Sequence, residues 1–392
     1  MNRSSRTFFV IWTDWLQEVT IVAMSSLELT RAKSIVIQRK HVDAWFVSRR
    51  HLNIYRGCGH NCVYCDGRDE RYRVPDNFGE DIVARENAPQ LLDDALNPHR
   101  ARHRRLSGFL MLGGGVSDSY QPAESKLQLA RACLQVILHR RQPVHILTKA
   151  TLVERDLSLI DQIHRARSAI LSVSFSGVDD DIAQIFEPGC PPPSKRLQMM
   201  SRFIDAGIPT GMFLMPVIPG VTDSAEAIQR AVRAAARIGA AFVVFGGMTL
   251  KPGRQKDHFD KVMQARYPDI LNRYPRIYQD NKWGGAVAGY YHRIEQRFVD
   301  AARAHRMWRR IPPRVFAQVC DANDRLQVIL EQLEYLQRAT GDRLPFGVLA
   351  RTLRTTEPTL SLIETLQLPS DQMRILKEIE ETDGERWYAR YL

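Results

Sequence analysis

The sequence has no run of eighteen apolar residues, which argues against a membrane-spanning helix. It also has no internal repeat, no low-complexity tract, and neither of the hydrolase motifs G-x-S-x-G and H-E-x-x-H. Six cysteines among 392 residues are too few for a disulfide framework and suit a reducing compartment. These absences predict a cytoplasmic protein without a membrane anchor and without a common hydrolytic site.

Positive charge is in excess. The chain has 55 Lys and Arg against 44 Asp and Glu, a net charge of +11. Such an excess attracts polyanions, and DNA or RNA is the usual one, although a solvated basic surface explains it equally well. The basic run HRARHRR (His99–Arg105) and the interleaved aromatic and basic residues of 266–285 are candidate contacts for phosphates or stacked bases. Exposed basic helix ends are the alternative interpretation, and we favour it slightly.

Short apolar runs alternate with helical patterns between about residues 50 and 250. Each run is apolar on both faces, which is typical of parallel strands covered by helices. The expected strands are Leu52–Tyr55, Phe109–Leu112, Val144–Leu147, Ile170–Phe175, Thr210–Met215 and Phe242–Phe245. The expected helices are Ala123–Leu138, Leu152–Ala166, Ser194–Ala206 and Ser224–Ile238. This alternation predicts an α/β fold, a partial (β/α)6 TIM-like barrel with a helical C-terminal extension.

Three residues are candidate helix caps. Gly207 and Gly239 follow the third and fourth expected helices, as C-terminal cap glycines do. Asp223 is the candidate N-cap of the fourth.

The chain divides into four expected segments. Residues 1–34 form an N-terminal extension, in which acidic residues interrupt the apolar stretch and argue against a secretory signal; Met24 is an alternative start. Residues 35–250 contain the barrel. Residues 251–320 are expected to form helices and loops on the substrate side, and residues 321–392 a charged helical appendage.

Three cysteines lie close together in HLNIYRGCGHNCVYCDGR. Cys58, Cys62 and Cys65 have the spacing C-x3-C-x2-C. Thiolates select zinc, copper(I) or iron–sulfur clusters, and a structural zinc site normally takes four ligands. No second C-x2-C pair is present, whereas three thiolates suit a [4Fe–4S] cluster whose fourth iron stays open. Gly57 and Gly59 allow the backbone to close around it. The remaining cysteines are isolated in sequence: Cys133, Cys190 and Cys320.

This spacing, with Tyr64 just before the last cysteine, resembles the signature of the radical S-adenosylmethionine (radical SAM) superfamily. The resemblance implies a radical SAM barrel. It also implies a [4Fe–4S] cluster on Cys58, Cys62 and Cys65, and S-adenosylmethionine bound at the open iron. One electron from the cluster then releases a 5′-deoxyadenosyl radical, which implies an electron donor such as flavodoxin or ferredoxin.

The finer pattern resembles the spore photoproduct lyase–like branch, also called DNA repair photolyase homologues. The matching pieces run in order from about residue 35 to 300 and include SDSYQPAE, ILTKATLVERD, SVSFS, FEPGCPPPSKRL and MPVIPGVTD. The resemblance implies a lyase-like enzyme of DNA repair. The cofactor-binding residues that it implies are Tyr64, Gly113, Gly114, Gly115, Ser117, Lys149 and Ser174. For Glu187 and Arg196, a structural ion pair is favoured over a catalytic role.

One departure from the branch concerns its chemistry. The lyase has a cysteine two residues before the Ser-Asp pair as hydrogen-atom donor, and this chain has Gly115 there. Tyr55, Tyr64 and Tyr120 are alternative hydrogen sources. We select Tyr120, together with Asp118 as a group that holds the substrate or the nucleoside, as the candidate catalytic residues. The alternatives are a radical SAM enzyme acting on a peptide or small molecule, and a basic nucleic-acid-binding protein with a structural metal.

Overall fold

The computed structural model describes residues 26–74, 77–99, 107–114, 116–279, 282–355, 366 and 368–392. Met24, Gly115 and most of the basic run His99–Arg105 lie outside the described residues.

A seven-stranded sheet forms the centre of the protein. The strands of the described chain are β1 (Leu27–Thr30), β2 (Val36–Asp43), β3 (Ser48–Leu52), β4 (Tyr55–Arg56), β5 (Ile82–Arg85), β6 (Phe109–Gly113), β7 (Val144–Thr148), β8 (Ala169–Phe175), β9 (Thr210–Val217) and β10 (Val243–Gly247). The order across the main sheet is β2, β3, β6, β7, β8, β9 and β10. All neighbours pair in parallel except the edge strand β2, which runs antiparallel to β3. Six parallel strands in a curled sheet confirm the expected partial barrel.

Five of the six expected strands are present with small shifts at their ends, but the first is wrong. The strand is Ser48–Leu52 and not Leu52–Tyr55. Its sequence, SRRHL, has one apolar residue and therefore no apolar pattern, although Ser48, Arg50 and Leu52 are buried. Tyr55 belongs instead to β4, in a second sheet with the order β1, β5, β4. The cysteine loop therefore leaves this small sheet and not the barrel strand itself.

Helices connect the parallel strands and continue to the C-terminus. They are α1 (Ala88–Ala95), α2 (Glu124–Leu127), α3 (Leu129–His139), α4 (Leu157–Ala166), α5 (Asp180–Phe186), α6 (Pro193–Asp205), α7 (Ala225–Arg237), α8 (Arg254–Arg266), α9 (Pro268–Leu271), α10 (Tyr274–Ile277), α11 (Ala288–Ala304), α12 (Pro313–Phe316), α13 (Ala322–Arg338), α14 (Phe346–Thr355), α15 (Ser370–Thr382) and α16 (Glu385–Ala389).

Two expected helices are interrupted. The expected helix Ala123–Leu138 breaks at Gln128, which has a left-handed backbone conformation. The expected helix Leu152–Ala166 begins with a 3-10 turn over Thr151–Asp156.

The expected C-terminal caps are confirmed, and the expected N-cap is not. Gly207 and Gly239 follow α6 and α7 with φ of +78° and +77°, a conformation that favours glycine. The N-cap of α7 is Ser224, whose hydroxyl accepts a hydrogen bond from the amide of Ala227. Asp223 does not cap α7, and its carboxylate accepts a hydrogen bond from Tyr290 Oη at 2.6 Å.

The two faces of the sheet have different coverings. Along β8, Leu171 and Val173 face the connecting helices, while Ile170 faces the opposite side. Because strand side chains alternate, Ser174 lies on the same side as Ile170. On that side, residues of α13 to α16 share one hydrophobic cluster with the sheet. No helix of the described residues is long and apolar enough to cross a membrane.

Candidate functional site

The cysteine loop, residues 57–65, lies at the edge where the parallel strands end. Cys58 and Cys62 are buried, Cys65 is partly exposed, and all three are free thiols. Gly57 has φ of +79°, and a Cβ there would lie 2.4 Å from the carbonyl oxygen of Asp81, so glycine is required. Gly59 has no such constraint from its φ angle. Of the two glycines expected to let the backbone close, Gly57 is therefore the one whose backbone conformation requires glycine.

Two buried side chains form hydrogen bonds with the backbone of this loop. The Gln121 amide donates to Gly57 O at 3.2 Å and accepts from Gly59 N at 2.8 Å. Arg68 donates to Cys62 O at 3.2 Å. Each of these bonds satisfies a backbone group of the loop. Sequence reasoning missed Gln121, although it lies within the quoted motif SDSYQPAE.

His60 connects the loop to two other segments. Its Nδ1 lies 3.0 Å from Gly189 O, and its Nε2 lies 3.1 Å from Asp118 Oδ2. A carbonyl oxygen and a carboxylate both accept, so both ring nitrogens must donate and the imidazole is protonated. Burial opposes this charge, but Cys58 and Asp118 outweigh burial and raise the His60 pKa to about 10. His60 therefore positions the loop, and both ring nitrogens are engaged within the protein.

Asp118, the predicted substrate-holding residue, is buried and fully engaged by the protein. Its carboxylate accepts from Tyr120 N at 2.8 Å, Lys149 N at 2.8 Å and the Thr148 hydroxyl at 2.8 Å, besides His60. These donors hold the Asp118 pKa below its ordinary value although burial, the largest influence, acts in the other direction. The structure thus shows a positioning group, and a role in catalysis stays a prediction.

Lys149 and Ser174 lie together at the ends of β7 and β8. Lys149 Nζ donates to Ser174 Oγ at 2.7 Å and lies 3.5 Å from Glu187 Oε1. Burial lowers the Lys149 pKa, but Glu187 and the nearby thiol of Cys62 reverse this and raise it overall. The ammonium group is therefore charged beside the cysteine loop, where it can hold a carboxylate.

Glu187 and Arg196 form the buried ion pair that the sequence analysis favoured. They are 1% and 0% exposed, and the carboxylate also accepts from the Tyr64 hydroxyl. Burial raises the Glu187 pKa, but Arg196 and then Lys149 outweigh burial and lower it to about 2. The pair fixes Tyr64 against the site, with Lys149 Nζ 5.7 Å from the centre of the tyrosine ring.

The glycine-rich segment and Ser117 complete this edge. Gly113 has φ of +91°, and a Cβ there would lie 2.2 Å from Leu147 O, so the turn itself requires glycine. Gly114 also has positive φ, +87°. Ser117 Oγ donates to Gly57 O at 2.9 Å. Contact of these residues with a nucleoside stays a prediction.

The three tyrosines considered as hydrogen sources occupy different places. Tyr64 alone belongs to the cysteine loop. Tyr120 is 1% exposed and donates to Asp156 Oδ2 at 3.1 Å, and Tyr55 is 2% exposed and donates to Glu124 Oε2 at 2.6 Å. Both rings belong to the hydrophobic cluster on the face of the sheet that the connecting helices cover. The structure does not bring Tyr120 to the loop, and its catalytic role stays a prediction.

Cys190 is the cysteine that sequence reasoning missed. Its Sγ lies 3.9 Å from Cys62 Sγ, although 128 residues separate them. Two backbone bonds dock its segment on the loop, from Val63 N to Phe186 O at 2.8 Å and from Gly189 N to His60 O at 3.1 Å. The available signal was its place in the motif FEPGCPPPSKRL.

An exposed patch of aromatic and basic residues follows the loop directly. This patch, named the aromatic–basic surface, comprises Arg71, Tyr72, Lys282 and Trp283, with the buried Lys251 lying behind Tyr72. Trp283 is 64% and Tyr72 42% exposed. Arg71 and Lys282 lie 5.3 and 5.2 Å from the Trp283 ring centre, and Lys251 lies 5.6 Å from that of Tyr72. Cations beside exposed rings form a surface on which planar anions can stack.

The donor chemistry of the loop fits an iron–sulfur cluster. Burial raises the pKa of Cys58 and of Cys65 to about 12, and contact with Cys190 and then burial raise the Cys62 pKa well above its ordinary value. A metal binds the thiolate form, so binding of a cluster here releases these protons. Within the described ranges, no three His, Cys, Asp or Glu side chains are close enough to hold a single metal ion.

Comparison with known proteins identifies the barrel region. The model of the radical SAM superfamily matches residues 52–231. An uncharacterized protein of Mycobacterium tuberculosis is 30% identical over 235 residues, which cover 59% of this chain and 67% of that protein. An uncharacterized protein of Methanocaldococcus jannaschii is 26% identical over 219 residues, covering 56% of this chain and 76% of that protein.

Solved structures agree on the fold. A spore photoproduct lyase complexed with dinucleoside spore photoproduct superposes with a TM-score of 0.52 and 15% identity, over 71% of this chain and 79% of that chain. A double mutant of spore photoproduct lyase with bound AdoMet and the same dinucleoside gives a TM-score of 0.50 and 16% identity over the same shares. At these identities the likeness concerns the fold.

Proposed function

Since this chain belongs to the radical SAM superfamily, we propose that Cys58, Cys62 and Cys65 hold a [4Fe–4S] cluster and that the protein cleaves S-adenosylmethionine. The cluster supplies the electron that splits the sulfonium and gives a 5′-deoxyadenosyl radical. The observation that carries the proposal is the placement of three free thiols in one loop beside Lys149 and Ser174.

The chain's own residues bind and orient in this proposal. Lys149 presents a charged ammonium group at the end of β7, suited to the carboxylate of the methionine moiety. Ser117 and Ser174 present hydroxyls at neighbouring strand ends, suited to the ribose. Tyr64, fixed by Glu187, covers one side of the loop. Convergence of such groups at the carboxyl ends of the strands is where barrels of this class bind substrates.

The cluster is tested by substitution of single cysteines. Cys58→Ala, Cys62→Ala and Cys65→Ala should each prevent cluster assembly, because one iron loses its thiolate. Anaerobic iron and sulfide analysis with visible absorption measures it. Cys133→Ala and Cys320→Ala are the controls, since both thiols lie away from the loop, and they should leave about four irons per chain. A full cluster after any loop substitution would contradict the assignment.

Cofactor cleavage is tested on the products. Reduced, cluster-loaded protein should convert S-adenosylmethionine to 5′-deoxyadenosine and methionine, slowly even without a substrate. Chromatography of the products measures it, with the Cys62→Ala variant as the control that lacks the cluster. Absence of 5′-deoxyadenosine from the reduced, loaded protein would count against a radical mechanism.

We further propose that the substrate is DNA or RNA, bound in part by the aromatic–basic surface. Two observations support this: the net charge of +11, and the exposed rings of Trp283 and Tyr72, of which Trp283 has Arg71 and Lys282 beside it. Arg71 and Lys251 are paired with Asp69 and Asp66 at 2.7 and 2.5 Å, which holds both cations over the rings. With Gly115 in place of the donor cysteine, efficient splitting of the thymine dimer lesion is not expected.

Binding is tested with labelled oligonucleotides at two salt concentrations. Affinity should fall steeply with salt, because phosphate contacts release counterions. Trp283→Ala should weaken binding by about 1–3 kcal/mol, the usual contribution of one stacked base. Val348→Ala, at an exposed apolar residue of α14, is the matched control. Undetectable affinity at low salt would favour a peptide or small-molecule substrate.

A further inference from the structure

Two thiols from distant parts of the chain lie in contact at the cysteine loop. Cys190 Sγ is 3.9 Å from Cys62 Sγ, although 128 residues separate them, and both thiols are free. A disulfide holds its two sulfurs ~2.05 Å apart, so the pair must close by about 2 Å to form the bond. Rotation about the two Cα–Cβ bonds moves both sulfurs while the backbone stays in place. The pair is therefore one short movement away from a disulfide.

Backbone contacts keep the two thiols together. Gly189 N donates to His60 O at 3.1 Å, and Val63 N donates to Phe186 O at 2.8 Å. A Cβ at Gly189 would lie only 2.4 Å from a backbone oxygen of the cysteine loop, so glycine is needed for this close approach. Because both segments are fixed against each other, each thiol meets the other at a high effective concentration.

The two thiols differ in what can reach them. Cys190 is partly exposed, whereas Cys62 is only 6% exposed. An oxidant from solvent therefore meets Cys190 first, and the buried thiol meets the sulfur of Cys190. This difference divides the pair into an attacking thiol and a resolving thiol.

On these grounds we propose that Cys190 and Cys62 form a disulfide in the cluster-free protein, with a small disulfide such as oxidised glutathione as the oxidant. The Cys190 thiolate attacks one sulfur of the oxidant, which forms a mixed disulfide and expels one thiolate. The Cys62 thiolate then attacks the Cys190 sulfur, and the second half of the oxidant leaves as a thiolate. The protein thiols lose two electrons and two protons, and the oxidant gains both and becomes two thiols.

The disulfide withdraws one of the three thiols that the proposed cluster needs. In this respect the inference rests on the proposed function. Assembly of the cluster then requires that Cys62 is first reduced, and a Cys62 thiolate that already holds iron is not available to attack Cys190. The bond is reversible, so it also keeps Cys62 from oxidation to the irreversible sulfinic and sulfonic forms while the cluster is absent.

The test identifies the sulfur to which Cys62 is linked. Cluster-free protein is reduced, desalted anaerobically, incubated with oxidised glutathione, alkylated and digested for mass spectrometry. A peptide pair joined through Cys62 and Cys190 is expected. In Cys190→Ser the yield of oxidised Cys62 should fall several-fold, whereas Cys320→Ser, at another partly exposed cysteine, should behave as the wild type. An unchanged yield in Cys190→Ser, or linkage of Cys62 to Cys58 or Cys65 in the wild type, would overturn the proposal.

The order of the two steps is tested with Cys62→Ala. Without the resolving thiol, the mixed disulfide between glutathione and Cys190 should accumulate several-fold above its level in the wild type. The same mass spectrometry measures this adduct. Absence of the adduct at Cys190 would show that the exposed thiol is not the point of attack.

Cluster-loaded wild type separates this inference from the proposed function. Protein that carries about four irons per chain should form the link between Cys62 and Cys190 several-fold more slowly than cluster-free protein. Equal linkage in the two forms would contradict the assignment of Cys62 as a cluster ligand and leave the disulfide in place. Absence of the link from cluster-free protein would instead contradict the disulfide alone.

Discussion

Two buried carboxylates hold the cysteine loop, and they differ in the kind of charge that faces them. Asp118 has one cationic partner, the imidazolium of His60, and otherwise neutral donors. Glu187 lies between two cations, Arg196 and Lys149. A histidine can release its proton when its carboxylate is lost, whereas an arginine cannot. Loss of the negative charge should therefore cost far more at Glu187 than at Asp118.

The largest expected effect is that of Glu187→Gln. The substitution leaves the buried Arg196 guanidinium and the Lys149 ammonium without a counter-charge. It should lower the free energy of unfolding by about 3–5 kcal/mol, as removal of one partner of a buried ion pair does. Urea unfolding followed by circular dichroism measures it. Glu154→Gln is the control, because Glu154 pairs with Arg202 on the surface and should cost about 1 kcal/mol or less. Equal costs at the two sites would contradict this account of Glu187.

Acid should remove the same stabilisation in the wild type. The Glu187 pKa is lowered from 4.5 to about 2, so its contribution is present above pH 4.5 and is lost as the pH falls toward 2. Over this window the loss amounts to about 3 kcal/mol. The free energies of unfolding of the wild type and of Glu187→Gln are measured at about pH 6 and about pH 3, and the difference between the two proteins should be smaller at the lower pH. A difference that is the same at both pH values would show that the Glu187 carboxylate is not the source of the stabilisation.

Asp118→Asn should have a smaller effect. The amide keeps one accepting oxygen for the Thr148 hydroxyl, and His60 can become neutral when the carboxylate charge is gone. The remaining cost is that of mismatched hydrogen bonds, about 1–3 kcal/mol. The same unfolding measurement applies, and retention of the cluster by the variant checks that the loop persists. A loss as large as that of Glu187→Gln would mean that the neutral donors matter more than the charges.

The comparison also shows what sequence reasoning can reach. Five of the six parallel strands were predictable, because each is a short apolar run, often bounded by glycine or proline, and the superfamily followed from the spacing of Cys58, Cys62 and Cys65. The strand Ser48–Leu52 was missed because polar residues, Ser48 and Arg50, occupy two of its three buried positions. Register between distant segments was also out of reach, since nothing local places Cys190 beside Cys62.

The predicted site residues also differ in how far the sequence determines where their side chains lie. Lys149 and Ser174 meet because they end neighbouring parallel strands, which the strand order makes predictable. Tyr120 follows the expected strand end too, yet its ring turns into the helix-covered core, where its hydroxyl meets Asp156. Direction of a side chain after a strand ends depends on the loop's own backbone, and a sequence pattern does not encode it. The roles of these residues remain predictions.

The smallest expected effect is that of Ser117→Ala. Its hydroxyl donates to Gly57 O at 2.9 Å and so ties the end of β6 to the cysteine loop, but neither group is charged. Removing a neutral bond of this kind should cost about 0.5–1.5 kcal/mol, because Gln121 still donates to the same carbonyl. Ser125→Ala is the control, since its hydroxyl bonds only to Pro122 O, three residues away, at the surface. The unfolding free energies of both variants, together with the time for which each retains its cluster, measure the difference. If Ser117→Ala costs as much as Asp118→Asn, the loop depends on its hydrogen-bond count and not on the charges of its two carboxylates.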